Sequence, residues 1–312
     1  MSDGPVLVTG AGGFVCSEIA LALHRAGRQV LAADRHFDSA TAARLGTIRR
    51  IEGPLDETLP ALAALAPSAV IHGAAITAAP ARLELSRAGH IRRNTELLTR
   101  TLEMARGAGA RAFLFLSSMG VFEPQDGPAP GGRFTEATTP TALCAYAAAK
   151  RAGELLTEAA AEDGFVTSSL RLGNVFGPHE AVRESRQRLC LVQRMLAEAR
   201  SSSGVITLDA PEAHREWSWL PDLADGIAAH IGTIAANGAR VLHAGTPPVQ
   251  SDLALARAIA ERLRGTLIRL APPPHRPVRP PMGSDHESVF TAIDWTGMET
   301  ALDRLLPVEA AL

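Results

Sequence analysis

Tyr146 and Lys150 are the only tyrosine and the only lysine in a chain of 312 residues, and they stand four apart in Tyr146-Ala147-Ala148-Ala149-Lys150. Every other member of the 31 Lys+Arg is an arginine. A phenol with a pKa near ~10 is a poor base at neutral pH. A cation one helical turn away favours the phenolate and lowers that pKa. The phenol can then exchange a proton with a substrate hydroxyl. An ammonium on a flexible stem is not equivalent to the planar arginine fork, so a lone lysine in an arginine-based chain points to a task arginine does not perform. The spacing alone would equally suit a surface lysine and a half-buried tyrosine on an Ala-rich helix. The uniqueness of both residue types favours chemistry.

The pair needs elements to hold it. Four residues make one turn, so both side chains share a helix face. Thr141 to Asp163 is rich in the good helix formers Ala, Leu, Glu and Arg, with Pro140 before it and Gly164 after it. At the other end of the chain, Pro5 to Thr9 is a short apolar run followed by Gly10-Ala11-Gly12-Gly13-Phe14-Val15-Cys16. Ser17 to Ala26 then reads as an amphipathic helix stopped by Gly27. Strand, glycine loop and helix form the context of a dinucleotide site. Glycines admit the pyrophosphate, and the helix N-terminus supplies N–H donors. Gln29 to Ala33 predicts a second strand ending at Asp34, whose carboxylate suits the adenosine ribose hydroxyls. Asp34 favours NAD, while Arg35 beside it leaves NADP open.

A chain of this length suits one large or two small domains. Hydrophobic residues make up 46% and the net charge is −2, which gives no attraction to nucleic acid. No apolar run approaches the ~18 residues of a membrane span, and no signal-peptide pattern opens the sequence. Cys16, Cys144 and Cys190 are too few and too scattered for a disulfide framework. A soluble, reduced, cytoplasmic protein without membrane partners is expected. The ten histidines show no metal-ligand spacing such as HExxH. Pro272 to Pro281, with six prolines, reads as an extended connector.

The glycine loop together with Tyr-x-x-x-Lys resembles the extended short-chain dehydrogenase/reductase family, of the NAD-dependent epimerase/dehydratase type. Thr9, Gly10 and Gly13 match the family loop TGxxGxxG, and Cys16 replaces its last glycine; a slightly displaced helix is expected, with Cys16 as packing. The resemblance implies a doubly wound parallel sheet of Rossmann type in a larger α/β domain (residues 1–172). A smaller C-terminal substrate-binding region (173–312) would follow, with some segments returning to the sheet. It implies NAD bound by Gly10, Gly12, Gly13, Phe14, Val15, Asp34, Arg35, Leu55, Ala74, Ala75, Tyr146 and Lys150. Gly53-Pro54-Leu55 lacks the family's adenine-contacting aspartate. A third strand is expected at Thr47 to Ile51, and Ala69 to His72 should be a buried strand carrying a structural histidine. Asn94, in a long helix from Ser86 to Gly107, matches an asparagine near the family's active site.

Arg111 to Leu116 predicts a strand ending at Ser117-Ser118-Met119-Gly120-Val121-Phe122. Alignment on Val121-Phe122 makes Ser118 the serine that holds the substrate oxygen, with Ser117 one position away as the alternative. Met119 and Gly120 stand where family dehydratases have an acid pair, so dehydration is not expected; nor can Gly120 act as the cysteine acid of GDP-fucose-type enzymes. Arg171 and Asn174 match the RxxNxxGP turn, followed by His179. Arg215 opens a run resembling R-D-aromatic-x-x-x-x-D, and Arg279 loosely matches a second phosphate-binding arginine. Asn174, His179, Arg215 and Arg279 are thereby candidate substrate contacts. The resemblance implies hydride transfer at a sugar carbinol, with a nucleotide-sugar epimerase favoured narrowly. The alternatives are a net dehydrogenase or reductase of a free sugar, sugar acid or other small alcohol, and a non-catalytic NAD(P)-binding regulator. A homodimer through the helices at 86–107 and 141–163 is also implied.

Overall fold

The structure is a computed structural model describing residues 4–127, 132–182, 189–237, 240–272 and 277–306. The first half alternates strand and helix: β1 (Val6–Thr9), α1 (Phe14–Arg25), β2 (Val30–Asp34), α2 (Ser39–Leu45), β3 (Arg49–Glu52), α3 (Leu55–Ala63), β4 (Ala69–His72), α4 (Arg87–Gly107), β5 (Ala112–Ser118), α5 (Ala145–Ala159) and β6 (Val166–Leu172). Shorter strands follow, interleaved with helices: β7 (Val175–Phe176), α6 (Leu191–Arg200), β8 (Val205–Leu208), β9 (His214–Glu216), β10 (Ser218–Trp219), α7 (Leu220–Asn237), β11 (Val241–His243), β12 (Val249–Ser251), α8 (Asp252–Arg262), β13 (Leu267–Leu270) and α9 (Met298–Leu305).

Seven parallel strands form the main sheet in the order β11-β6-β5-β4-β1-β2-β3. Such strands are covered on both faces, which is why they read as unbroken apolar runs. All four residues of β1 and of β4 are buried. One face packs Ile19, Leu23, Leu114 and Ile227; the other packs Leu7, Val70, Leu98 and Phe113. The strand order reverses between β1 and β4, and in open α/β sheets ligands bind outside the carboxyl ends of the strands at such a point. The turns after these strands are the glycine loop and Gly73-Ala74-Ala75.

β11 joins the sheet beside β6, and α7 packs against α1. A separate apolar cluster, around Phe176, Met195, Trp217, Trp219, Leu255 and Leu302, holds α6, α8 and α9 to the small strand pairs. Helix starts follow side-chain caps. Asp38, Ser86 and Ser251 accept from backbone N–H groups three residues on. The helix expected from Thr141 begins at Ala145 instead, because Cys144 caps it and Ala142 N–H is drawn to Val121 O. α6 starts at Leu191 with the extended Cys190 as its N-cap, and 183–188 lie outside the described residues. Part of the proline-rich connector, 273–276, lies outside them too. No described helix is long and apolar enough to cross a membrane.

Candidate active site

The glycine loop is shaped by atoms that exclude side chains. Gly10 has φ +76°, and a Cβ there would lie 2.8 Å from Ala74 N. A Cβ on Gly12 would lie 2.3 Å from His36 O and 3.0 Å from Asp34 Oδ2. Gly13 is the N-cap of α1, and no side chain caps that helix or places an acid in its first turn. The N–H groups of its first turn, which holds Phe14 and Val15, thus form a partly positive end suited to a phosphate. Asp34 Oδ2 accepts the Gly12 N–H at 2.8 Å, and Oδ1 accepts from Arg35 N. Burial raises the Asp34 carboxyl above its ordinary pKa, opposed by N–H groups of Gly12, Arg35 and His36. The loop and β2 end therefore fit a dinucleotide. Leu55 is the first residue of α3, just past the end of β3, and Arg35 is exposed.

Cys16 packs against the backbone of Gly73. Its sulfur sits 2.2 Å from where a Cβ of Gly73 would be, so the space the family gains from a glycine on the helix comes here from a glycine after β4. Burial pushes the Cys16 thiol up to about 12, which keeps it neutral.

Across the β1–β4 crevice, α5 carries Tyr146 and Lys150. Lys150 is 6% exposed. Its Nζ donates to Leu116 O at 2.7 Å and lies 4.6 Å from the Phe115 ring centre and 5.8 Å from that of Tyr146. Burial lowers the Lys150 ammonium to about 8, against the pull of Cys16 and Glu154. Ser118 ends β5, and its Oγ accepts the Gly120 N–H at 3.0 Å. A Cβ on Gly120 would lie 3.2 Å from Ser118 Oγ and 3.4 Å from Tyr146 Cε1, so the glycine leaves open the space flanked by hydroxyl and phenol ring. Ser117, one residue earlier, is buried and donates to Glu154 Oε1 at 2.6 Å. The alternation of the strand thus separates the two serines: Ser118 faces Tyr146, and Ser117 belongs to the core.

A small cavity beneath the tyrosine is lined by Ala74, Ala75, Asn94, Tyr146 and Lys150, among others. Asn94 Oδ1 accepts from Ile76 N at 2.9 Å and its Nδ2 donates to His90 O at 3.0 Å, so it ties the loop after β4 to α4. His72 in the same wall is buried, bonded to Thr9 Oγ1 at 3.0 Å and held neutral by burial at about 3. It is structural, as expected.

The candidate substrate contacts lie apart from one another. Asn174, after β6, donates through Nδ2 to Glu216 Oε1 at 3.1 Å and to Met119 Sδ at 3.5 Å. Arg215 Nε and Nη2 grip Asp252 Oδ1 and Oδ2 at 2.8 and 3.0 Å. Arg279 Nε donates to Phe122 O at 2.6 Å, on the segment that follows Ser118. His179 has φ +66° and has Arg44 and Glu18 as its charged neighbours, which places it near α1, on the cofactor's side. Arg171 opens the same motif as Asn174. It is 5% exposed, bound through Nε and Nη2 to Glu154 at 2.8 Å each, and fastens β6 to α5. The motif reading gave no role to Glu216, which fills the acid position after Arg215. This carboxylate is fully buried; Oε1 accepts from Asn174 N and Nδ2, Oε2 from Met282 N, and burial pushes it up to about 7.

Residues 6–245 match the family described as NAD dependent epimerase/dehydratase, and the chain belongs to that family. It is an NAD-dependent enzyme of the extended short-chain dehydrogenase/reductase type, and the fold agrees. Among solved structures, MoeE5 in complex with UDP-glucose and NAD is similar at 24% identity and TM-score 0.76, over 97% of this chain and 98% of that one. The epimerase Mth375 from Methanothermobacter thermautotrophicus matches at 23% and 0.80, over 98% and 92%. The UDP-glucose-4-epimerase from Stenotrophomonas maltophila, with NAD and formylated UDP-arabinopyranose, matches at 18% and 0.82, over 97% of each chain. No curated protein sequence matches the chain.

Proposed function

We propose that the chain is a nucleotide-sugar epimerase acting through transient oxidation of a sugar carbinol. The observation that carries this is the open space at Gly120 between Ser118 Oγ and the Tyr146 ring, with the buried Lys150 ammonium one turn further along α5. Ser118 holds the carbinol oxygen. Tyr146 removes its proton, and Lys150 favours the phenolate that does so. NAD, when bound, would supply the hydride acceptor for the carbinol carbon and the donor that returns the hydride. Gly10, Gly12, Gly13 and the α1 end would cradle its pyrophosphate, and Asp34 would receive the adenosine ribose. Ala74 and Ala75, which line the cavity beneath Tyr146, would flank it. Met119 and Gly120 carry no proton to give, so no water is expelled.

The nucleotide half of the substrate falls to Arg215 and Arg279. Asp252 holds one edge of the Arg215 fork, and no described residue bonds its Nη1, which suits an anion. Neither Arg279 Nη has a partner among the described residues. MoeE5 and the Stenotrophomonas enzyme were solved with UDP-sugars, which supports the same substrate class here. Purified enzyme with catalytic NAD should interconvert two epimeric nucleotide sugars with no net change at the NADH absorbance band. A second reading, net oxidation of a free sugar or sugar acid, is favoured by the Arg215–Asp252 pair, which already neutralises the expected phosphate ligand. Stoichiometric NADH from a free sugar, with no response to any nucleotide sugar, would establish it instead.

A further inference from the structure

Asn174 sits where the resemblance puts a substrate contact, and its side chain has one end that donates and one that accepts. What decides which end meets the substrate is Glu216. The backbone N–H of Asn174 donates to Glu216 Oε1 at 3.0 Å and that of Met282 to Oε2 at 3.0 Å. Both carboxylate oxygens are thus fixed as acceptors in a fully buried position, packed so closely that a Cβ on Gly173 would lie 2.3 Å from Oε1. Above about pH 7, where Glu216 is ionised, the amide atom 3.1 Å from Oε1 is nitrogen, since oxygen there would face oxygen. The second Nδ2 proton has the Met119 thioether at 3.5 Å. Both donors of the amide are therefore engaged inward, and no described group donates to Oδ1.

We infer that Glu216 is a positioning residue that turns the Asn174 amide so that its carbonyl oxygen, Oδ1, meets the substrate, and that the group read there is a sugar hydroxyl rather than a phosphate oxygen. A phosphate oxygen is an acceptor and needs N–H groups, whereas a hydroxyl can donate to Oδ1. Met119 leads directly from Ser118, so this acceptor adjoins the site of proton transfer. Arg215 and Arg279 are left to answer the phosphates, and Asn174 reads the sugar. The inference rests on the reading of the cleft as a sugar site; it holds for a free sugar as for a nucleotide-linked one.

The test uses the full chain loaded with NAD and titrated calorimetrically with UDP and with UDP-glucose. UDP carries the phosphates without the sugar. Asn174→Ala should weaken UDP-glucose about tenfold, the worth of one hydrogen bond, and leave UDP within about twofold. Glu216→Gln can donate to Oδ1 and swing the amide round, so it should weaken UDP-glucose similarly and spare UDP. Equal weakening of UDP and UDP-glucose by either change would overturn the inference, because phosphate would then be the partner. If the native enzyme binds neither probe, the nucleotide-sugar reading fails, and the amide still decides the inference. The side-chain N–H₂ resonances of Asn174, assigned by their loss in Asn174→Ala, should move in Glu216→Gln. Unmoved resonances would overturn it.

Discussion

Replacing Lys150 with methionine should stop catalysis and stabilise the protein. The ammonium is 6% exposed and pairs with one carbonyl, Leu116 O. Burial takes its pKa from 10.5 to about 8, which at ~1.4 kcal/mol per unit represents roughly 3 kcal/mol of cost for holding the charge inside. Methionine has a similar unbranched shape and no charge. It forfeits the hydrogen bond to Leu116 O, about 1 kcal/mol, so the net gain at pH 7 is about 2 kcal/mol. In a chain of 312 residues that raises Tm by roughly 3 °C. The pH dependence follows from the same shift. Below about 8 both folded and unfolded chains carry the proton, and the native protein bears the full cost. Between about 8 and 10.5 the unfolded chain keeps a proton that the folded one has released, so native stability rises with pH. The advantage of the variant should therefore be largest at pH 7 and shrink steadily toward pH 10. Thermal unfolding of both proteins without added cofactor, across that range, measures it. Turnover should fall about 10²- to 10⁴-fold through loss of the cation beside Tyr146. A variant that is less stable at pH 7, with a gap that does not change toward pH 10, would refute the account of a strained, buried ammonium.

Tyr146→Phe removes only the ionisable oxygen: turnover should vanish while NAD affinity, followed by fluorescence titration, stays within about twofold, and residual activity near that of the native enzyme would contradict the role. Asp34→Ala should narrow the preference for NAD over NADP measured by the same titration, because the carboxylate that repels a 2′-phosphate is gone. Gly73→Ala should cost about 1–3 kcal/mol by overpacking, since its methyl would meet the Cys16 sulfur; adding Cys16→Ala should restore most of the loss in denaturant unfolding. α5 and its approach expose Leu143 and Leu155, and light scattering should return a dimer mass.

The parts of the site that were legible in the sequence are those built within one turn or one loop. Tyr146 and Lys150 share a helix face because of their spacing, and Gly10 to Val15 carry their own geometry. What the sequence could not show is which partner each polar group meets. Arg171 was visible only as a motif position, because nothing local reveals Glu154 facing it across the α5–β6 contact. Asp252 is distant from Arg215 in the chain, and Glu216 from Asn174, yet these partners decide which donors are left for a ligand. Cys16 looked like a motif defect because the compensating glycine, Gly73, lies on another strand's exit. The acid position beside Arg215 was the one readable sign of Glu216, and only burial gives it meaning. The strand and helix order was accessible from apolar periodicity; the helix start at Ala145 was not, because it depends on a backbone bond to Val121.

The position of β11 has a practical bearing on engineering. Its pairing beside β6 and the packing of α7 on α1 mean that the cofactor-side sheet draws material from both sides of the small strand pairs. A chimera that exchanges everything after Leu172 for the corresponding stretch of another enzyme would import a foreign seventh strand and a foreign helix against α1. A graft meant to change the substrate alone should instead take two stretches, β7 through β10 and, because β12 and β13 pair with β9 and β8, the chain from β12 onward with its Met282 segment. That segment's N–H bonds Glu216, in the stretch being replaced. The two regions are woven together, and a crossover point chosen from the linear sequence would sever the sheet.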